Sequence, residues 1–239
     1  MTNEFAHKVE ALVIDKWFVN PPKLIYAMAN KPSIGVTRAF VLQWTKFSRL
    51  FPRWVGAIMS NCPEFEVLAY EVENLMSEVV IDPAGDTNHY QLLIRLGNGV
   101  GLSREEIEDF PTLEAATATF DWLWTKARDP DWLVGFTAVN GLEILGDRNL
   151  PSKYRLNAGT GLDPDPYSKH LGLSQEATQF FEVSDKADAD HGHHTVRIIA
   201  DYTPDKRHDE ILQILDKSIE RLRFMTDSIW DLSKELEDI

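Results

Sequence analysis

The sequence predicts an all-α protein, a single helical bundle of about seven to nine helices over residues 1–239. Three observations point there. Apolar residues recur three and four apart along most of the chain, the period of a helix that buries a wide stripe. Runs of alternating β-branched and aromatic residues closed by Asn-Gly or Asp-Gly turns, the mark of paired strands, are not found. No internal repeat or low-complexity linker divides the chain, and its length suits one large core.

Taken in order, the first strong period is "RAFVLQWTKFSRLFPRWVGAIMS" (38–60), where Phe40, Val41, Trp44, Phe47, Leu50, Phe51, Val55 and Ile58 repeat at helical spacing. Pro52 is expected to bend or divide this helix, because its ring clashes with the carbonyl four residues earlier. A second helix, "PEFEVLAYEVENLMSEV" (63–79), places Pro63 in its first turn and stops at "DPAGD". A third, "NHYQLLIRLGNGVG" (88–101), is ended by Gly97, Gly99 and Gly101. Ser103 and Glu106 in "SREEIEDF" form a capping-box signature for a short helix.

One or two more helices occupy residues 112–146, divided near the "DPD" at 129–131. Residues 147–167, "DRNLPSKYRLNAGTGLDPDPY", are rich in Pro, Gly, Asn and Asp and read as the longest irregular segment. Residues 174–202 are helical again. Thr203 caps and Pro204 starts a last, long amphipathic helix with Ile211, Leu215, Ile219, Leu222, Met225, Ile229 and Leu232 on one side.

Composition excludes several classes. Asp and Glu number 38 against 24 Lys and Arg, a net charge of −14 that repels phosphate backbones and anionic lipid heads. Neither nucleic acid nor a membrane surface is an expected partner. The one cysteine, Cys62, has nothing to pair with inside the chain, and "MTNEFAHKVEALVIDKWF" lacks the basic flank and apolar run of a secretion signal. With no stretch of spanning length, a cytoplasmic protein is expected.

The chemistry concentrates in "FFEVSDKADADHGHH" (180–194). On a helix, Ser184, Asp188 and His191 are spaced four and three apart and share a face, with Phe180 and Phe181 one to two turns before them. Carboxylates and imidazoles projecting inward from facing helices are how bundles hold paired iron or manganese ions. A lone Asp-x-x-His also suits a solvated helix surface, so the rest of the chain decides between the two.

Four further stretches bear on that choice: the Gln of "VLQWTKF" followed by Phe-Pro and by Asn-Leu-x-x-Glu in "ENLMSE", then "NHYQLLIRLGNGVGLSREEI", "VNGLEILG" and "HLGLSQEATQFFEVSDKADADH". In order and spacing, from about Arg38 to His194, they resemble the haem-oxygenase-like di-iron oxidases and oxygenases, a superfamily that also takes in thiaminase-like folds. The resemblance implies a haem-oxygenase-like bundle. It also implies a metal-binding pattern: a Glu closing one helix, a His opening the next, a second Glu, then His-x3-Asp-x2-His. Carried over, these fall on Glu78, His89, Glu143, Asp188 and His191, which become the expected metal ligands and catalytic residues, with two ferrous ions and O2 as cofactors.

Ser184 stands where the pattern has its first His, and a neutral hydroxyl is a poor ligand for iron. The second metal position is then weakly held, completed by water or substrate, or completed from elsewhere; loss of the metal altogether is a further reading. His170, Asp185 and His194 are the outside candidates, with His170 and Asp185 read as structural or exposed, and His193 points away. Glu71 and Asp82, seven before and four after Glu78, are its rivals. Asp82 also reads as a helix end, and Glu71, if buried, needs a partner or a proton. Glu73 reads as solvated.

Relatives of this kind act on fatty acids, on amino acids, or on a tyrosine of their own chain. This sequence is similar to the branch that forms a nitrile from a halogenated tryptophan. The implied function is an O2-dependent oxidoreductase of a small aromatic or amino-acid substrate in natural-product biosynthesis, working as a homodimer. A substrate carboxylate would call for a cation, for which Arg95, Lys153 and Arg155 are candidates. Seven tryptophans and twelve phenylalanines supply an aromatic lining, although most, such as Trp44, Phe47 and Trp122, read as core. Two other classes stay open: a cofactor-free or thiaminase-like enzyme on the same fold, for which Cys62 is poorly placed, and an interaction module docking through an uncovered stripe at 211–232.

Overall fold

The computed structural model describes residues 2–237, apart from the side chains of residues 2, 3, 188 and 189. Its helices follow in the order α1 (Thr2–Val13), α2 (Lys23–Asn30), α3 (Ile34–Asn61), α4 (Phe65–Leu75), α5 (His89–Gly99), α6 (Arg104–Asp109), α7 (Glu114–Ala127), α8 (Trp132–Val139), α9 (Asn149–Lys153), α10 (Asp165–Leu171), α11 (Gln175–Tyr202) and α12 (His208–Glu235). No strand occurs among the described residues. The all-α bundle expected from the sequence is therefore what forms, with more helices than the seven to nine anticipated. The surplus comes from α9 and α10, which lie in or begin within the stretch read as irregular, and from α1 and α2, in an N-terminal region to which the sequence reading assigns no helix.

Several boundaries differ from expectation for local reasons. Pro52 sits inside α3 without dividing it, since packing along both sides of a 28-residue helix outweighs one missing backbone bond. Pro63 lies in the link between α3 and α4, where Cys62 takes the C-cap position and Glu64 precedes the first turn. Thr203 closes α11, its hydroxyl donating to the Ile199 carbonyl, and a short 3-10 turn at Asp205–Arg207 leads into α12. The capping box of Ser103 and Glu106 is present as read.

The core is one contiguous apolar cluster in which Trp54, Phe40, Phe136 and Phe181 are among the largest fully buried side chains. α12 packs against α3, α7 and α8. Its seven-residue stripe is buried throughout, from Ile211 at 0% exposure to Leu232 at 9%. At roughly 1.5–3 kcal/mol for each large side chain removed from water, that stripe is a principal source of the bundle's stability. That stripe is not an uncovered docking surface.

Among the elements that depart from α geometry, two carry expected site residues. After α4 the chain widens into a π turn at Met76–Val80, and after α8 it tightens into a 3-10 segment at Asn140–Gly146. Such insertions re-aim side chains that a continuous helix would carry elsewhere. α11 runs close against the 3-10 segment because Gly192 has no side chain: a Cβ there would lie 2.8 Å from Cβ of Asp147 and 3.4 Å from the Glu143 carbonyl oxygen. No helix among the described residues is long and apolar enough to cross a membrane.

Candidate metal centre

A cavity of about 150 Å³ opens between α3, the π turn, the start of α5, the 3-10 segment and α11. Glu78, His89, Glu143, Ser184 and His191 all line it. Five of the six expected ligand positions thus converge from four elements. The sixth, Asp188, lies on α11 between Ser184 and His191, but its side chain is outside the described residues.

The donors fall into two groups. In the first, His89 is placed by Asn88, whose side chain accepts from the Gln91 N–H to cap α5 while its amide donates to the Val79 carbonyl at 3.1 Å. The ring lies between two carboxylates, Nδ1 at 2.8 Å from Glu78 Oε1 and Nε2 at 2.9 Å from Asp82 Oδ2. Burial alone would lower the affinity of this imidazole for a proton. The two carboxylates outweigh it and push its pKa up to about 10. Asp82 is itself buried, yet hydrogen bonds from His89 and from the Ala84 N–H hold it below the usual carboxylate range. Ser48 of α3 donates to the other oxygen of Glu78 at 3.1 Å.

In the second group, Nδ1 of His191 lies 4.0 Å from Glu143 Oε2. Tyr70 donates a short hydrogen bond to the same oxygen, and Asn74 donates to Oε1 at 3.1 Å. Burial pushes the Glu143 carboxyl above its ordinary range, a shift opposed by the neighbouring His191 and the Tyr70 hydroxyl. Behind this pair, Glu71 is wholly buried; its Oε2 accepts from the Asn140 amide at 3.0 Å and its Oε1 has no partner. Burial and the nearby Glu143 raise its pKa well above that of a free carboxyl.

The arrangement sorts the other expected residues. Asp82 belongs to the site through His89 and is more than a helix end, and Glu71 lies behind Glu143, not beside Glu78. Glu73 is exposed, as read. His170 is exposed on α10, and Asp185 pairs with Arg148. His193 and His194 line a separate, open groove of about 540 Å³ with Asp147 and Asp190, and His191 lines both the groove and the cavity. None of the three candidate cations lines the cavity: Arg95 pairs with Asp86 at 2.6 Å and Lys153 with Glu10 at 2.6 Å, while Arg155 occupies a left-handed turn with φ 59°. Trp44, Phe47 and Trp122 pack on the core as expected, and Trp44 and Phe47 are also part of the cavity wall, with Phe40, Phe51 and Phe180. Cys62 is buried away from the cavity, and burial pushes its thiol up, which disfavours the nucleophilic thiolate.

Tyr70, Asn74 and Ser48 were not singled out from the sequence. A signal for two of them was available, since Tyr70, Asn74 and Glu78 are spaced four apart. Carboxylates and imidazoles are donors that suit iron, and their presence on one wall fits that metal. Among the described residues, no three His, Cys, Asp or Glu side chains already stand in a metal-holding arrangement. Instead the candidate donor atoms are paired with one another, as in Glu78 with His89.

Comparison with known proteins bears on the family and the fold. Residues 38–225 match the family described as iron-containing redox enzyme. A 4-aminobenzoate synthase of Chlamydia pneumoniae is 25% identical over 179 residues, covering 74% of this chain and 72% of that one. Among solved structures, a domain of unknown function with a heme oxygenase-like fold from Shewanella denitrificans superposes with a TM-score of 0.69 at 11% identity, over 98% of this chain and 92% of that one. A TenA homolog from Pseudomonas syringae pv. tomato gives 0.68 at 12% identity, over 96% and 91%. At these identities the two structures show the shared haem-oxygenase-like fold.

Proposed function

The chain belongs to the family of iron-containing redox enzymes, and from that premise we propose that it is a non-haem di-iron oxidase or oxygenase, using O2 on a small aromatic or amino-acid substrate in a biosynthetic pathway. One observation carries the reading: two carboxylate–imidazole pairs, Glu78 with His89 and Glu143 with His191, face a single aromatic cavity. Glu78, His89, Glu143, Asp188 and His191 would hold two ferrous ions, with Ser184 presenting a hydroxyl where a sixth ligand would stand. Bound there, ferrous iron supplies the electrons that activate O2.

The remaining tasks fall to the chain. Phe40, Trp44, Phe47 and Phe180 exclude water and offer flat apolar surfaces to an aromatic ring. Ser48 and Asp82 hold Glu78 and His89 in register, as residues behind a ligand shell commonly do. No Lys or Arg among the described residues lines the cavity, so recognition rests on the apolar body of the substrate. The name of the Chlamydia pneumoniae relative is that of a synthase of a small aromatic amine, in keeping with such a cavity. The specific conversion we put forward is that of a halogenated tryptophan to an indole nitrile, carried out by a homodimer. An interaction module would need the apolar stripe of α12 uncovered, and a thiol-dependent enzyme would need Cys62 in the cavity; neither condition holds.

The test is O2 consumption by ferrous-loaded protein with and without tryptophan or a halogenated tryptophan, with the products identified by mass spectrometry. Substrate-accelerated uptake, lost in Asp188→Ala and His191→Ala while both variants stay folded, supports the reading. Full activity in either variant contradicts it.

A further inference from the structure

We infer that Tyr70 and Asn74 form a two-point clamp that fixes the orientation of the Glu143 carboxylate, making them the positioning residues of the half of the centre built from Glu143 and His191. The inference rests on the proposed role of Glu143 as an iron ligand. Tyr70 and Asn74 lie one turn apart on α4, and each donates to a different oxygen of Glu143: Tyr70 to Oε2 and Asn74 to Oε1, the latter at 3.1 Å. Both oxygens are thus held from a single helix.

The need for such a clamp follows from where Glu143 sits. It is carried by a 3-10 segment, whose hydrogen bonds are poorer in geometry than those of an α-helix and fix a side chain's origin less firmly. The clamp supplies what the backbone lacks. The Tyr70 oxygen also lies 2.9 Å from Thr195 Oγ1 and 3.4 Å from the His191 carbonyl oxygen, so one phenol joins α4, the 3-10 segment and α11. Tyr70 is 6% exposed and its ring packs on Phe136 at 5.9 Å between centroids, leaving the hydroxyl little room to turn away. An ionised carboxylate offers about four acceptor directions. The clamp takes two and leaves the others for cations.

Anaerobic ferrous-iron titration with Mössbauer spectra tests the clamp in wild type, Tyr70→Phe, Asn74→Leu and Glu143→Ala. In the first two variants, iron at one of two positions should weaken by roughly 10- to 100-fold. One ferrous component alone should change its quadrupole splitting, with the thermal midpoint near that of wild type. Glu143→Ala should lose that component entirely. Wild-type affinity and spectra in both Tyr70→Phe and Asn74→Leu, beside loss in Glu143→Ala, would overturn the clamp and leave the ligand set standing. Iron binding by Glu143→Ala equal to wild type would remove Glu143 from the ligands and the clamp with it. Should Asn74→Leu fail to fold, Tyr70→Phe decides alone, because its ring keeps the Phe136 contact.

Discussion

Nδ1 of His191 lies 4.0 Å from Oε2 of Glu143, although one residue stands on α11 and the other on the 3-10 segment after α8. What allows the approach is the bare backbone of Gly192, directly after that histidine. An alanine inside a helix is ordinarily better than glycine by about 1 kcal/mol. Here the added Cβ would stand 2.8 Å from Cβ of Asp147, and overpacking of a close helix contact costs about 1–3 kcal/mol. Gly192→Ala is expected to lower stability on balance and to weaken iron binding, because the strain falls on the segment carrying Glu143. Urea unfolding and iron titration check both; a variant more stable than wild type with full iron affinity contradicts the account.

Glu71 makes a prediction about pH. Its folded pKa is raised above the unfolded value by burial and by Glu143. A raised group contributes stability that is fully present below the unfolded value of about 4.3 and is lost as pH climbs toward the folded value. Glu71→Gln keeps a neutral side chain of the same shape, so it should match wild type near pH 4 and exceed it at neutral pH. Parallel unfolding curves across that range would mean Glu71 carries no raised pKa.

His89 sets the pH dependence of iron binding. From sequence alone, iron binding is expected to weaken as pH falls below about 6, near the ordinary imidazole pKa. The pairing with Glu78 and Asp82 holds the proton up to about 10, so a ligating nitrogen must release it throughout the neutral range. Apparent iron affinity at the position His89 serves should therefore rise by roughly tenfold per pH unit between 6.5 and 9, the signature of one proton released on binding there. A flat profile over that interval contradicts the pairing.

Ser184 is buried on the cavity wall, one helical face with His191. Ser184→His places an imidazole there, with the cavity itself to receive it, and should tighten the weaker of two iron positions by at least roughly tenfold. Unchanged affinity would place Ser184 outside the ligand shell.

Much of this was legible in the sequence because helical period and ligand spacing are local properties. The long helices α3, α11 and α12 are legible through apolar residues three and four apart, and Ser184 and His191 share the cavity wall as their spacing on α11 required. Non-α geometry was not legible. The π turn that carries Glu78 and the 3-10 segment that carries Glu143 arise from tertiary packing, and no residue in "MSEVV" or "NGLEILG" demands them. The partners of the ligands were hidden for the same reason. Tyr70 reaches Glu143, and Asp82 turns back to His89, only once the chain has folded around the cavity. That Trp44 and Phe47, besides packing on the core, also wall the cavity was not legible, because an aromatic stripe reads identically whether it faces protein or open space.

The central claim is that Glu78, His89, Glu143, Asp188 and His191 hold two irons. Metal content and Mössbauer spectra of protein reconstituted anaerobically with ferrous iron, before and after O2, test it most directly. Near two irons per chain, with a spectrum that changes on O2 exposure and changes faster with an aromatic amino acid present, is the predicted result. No iron above background would contradict the account and leave these side chains as a buried polar network.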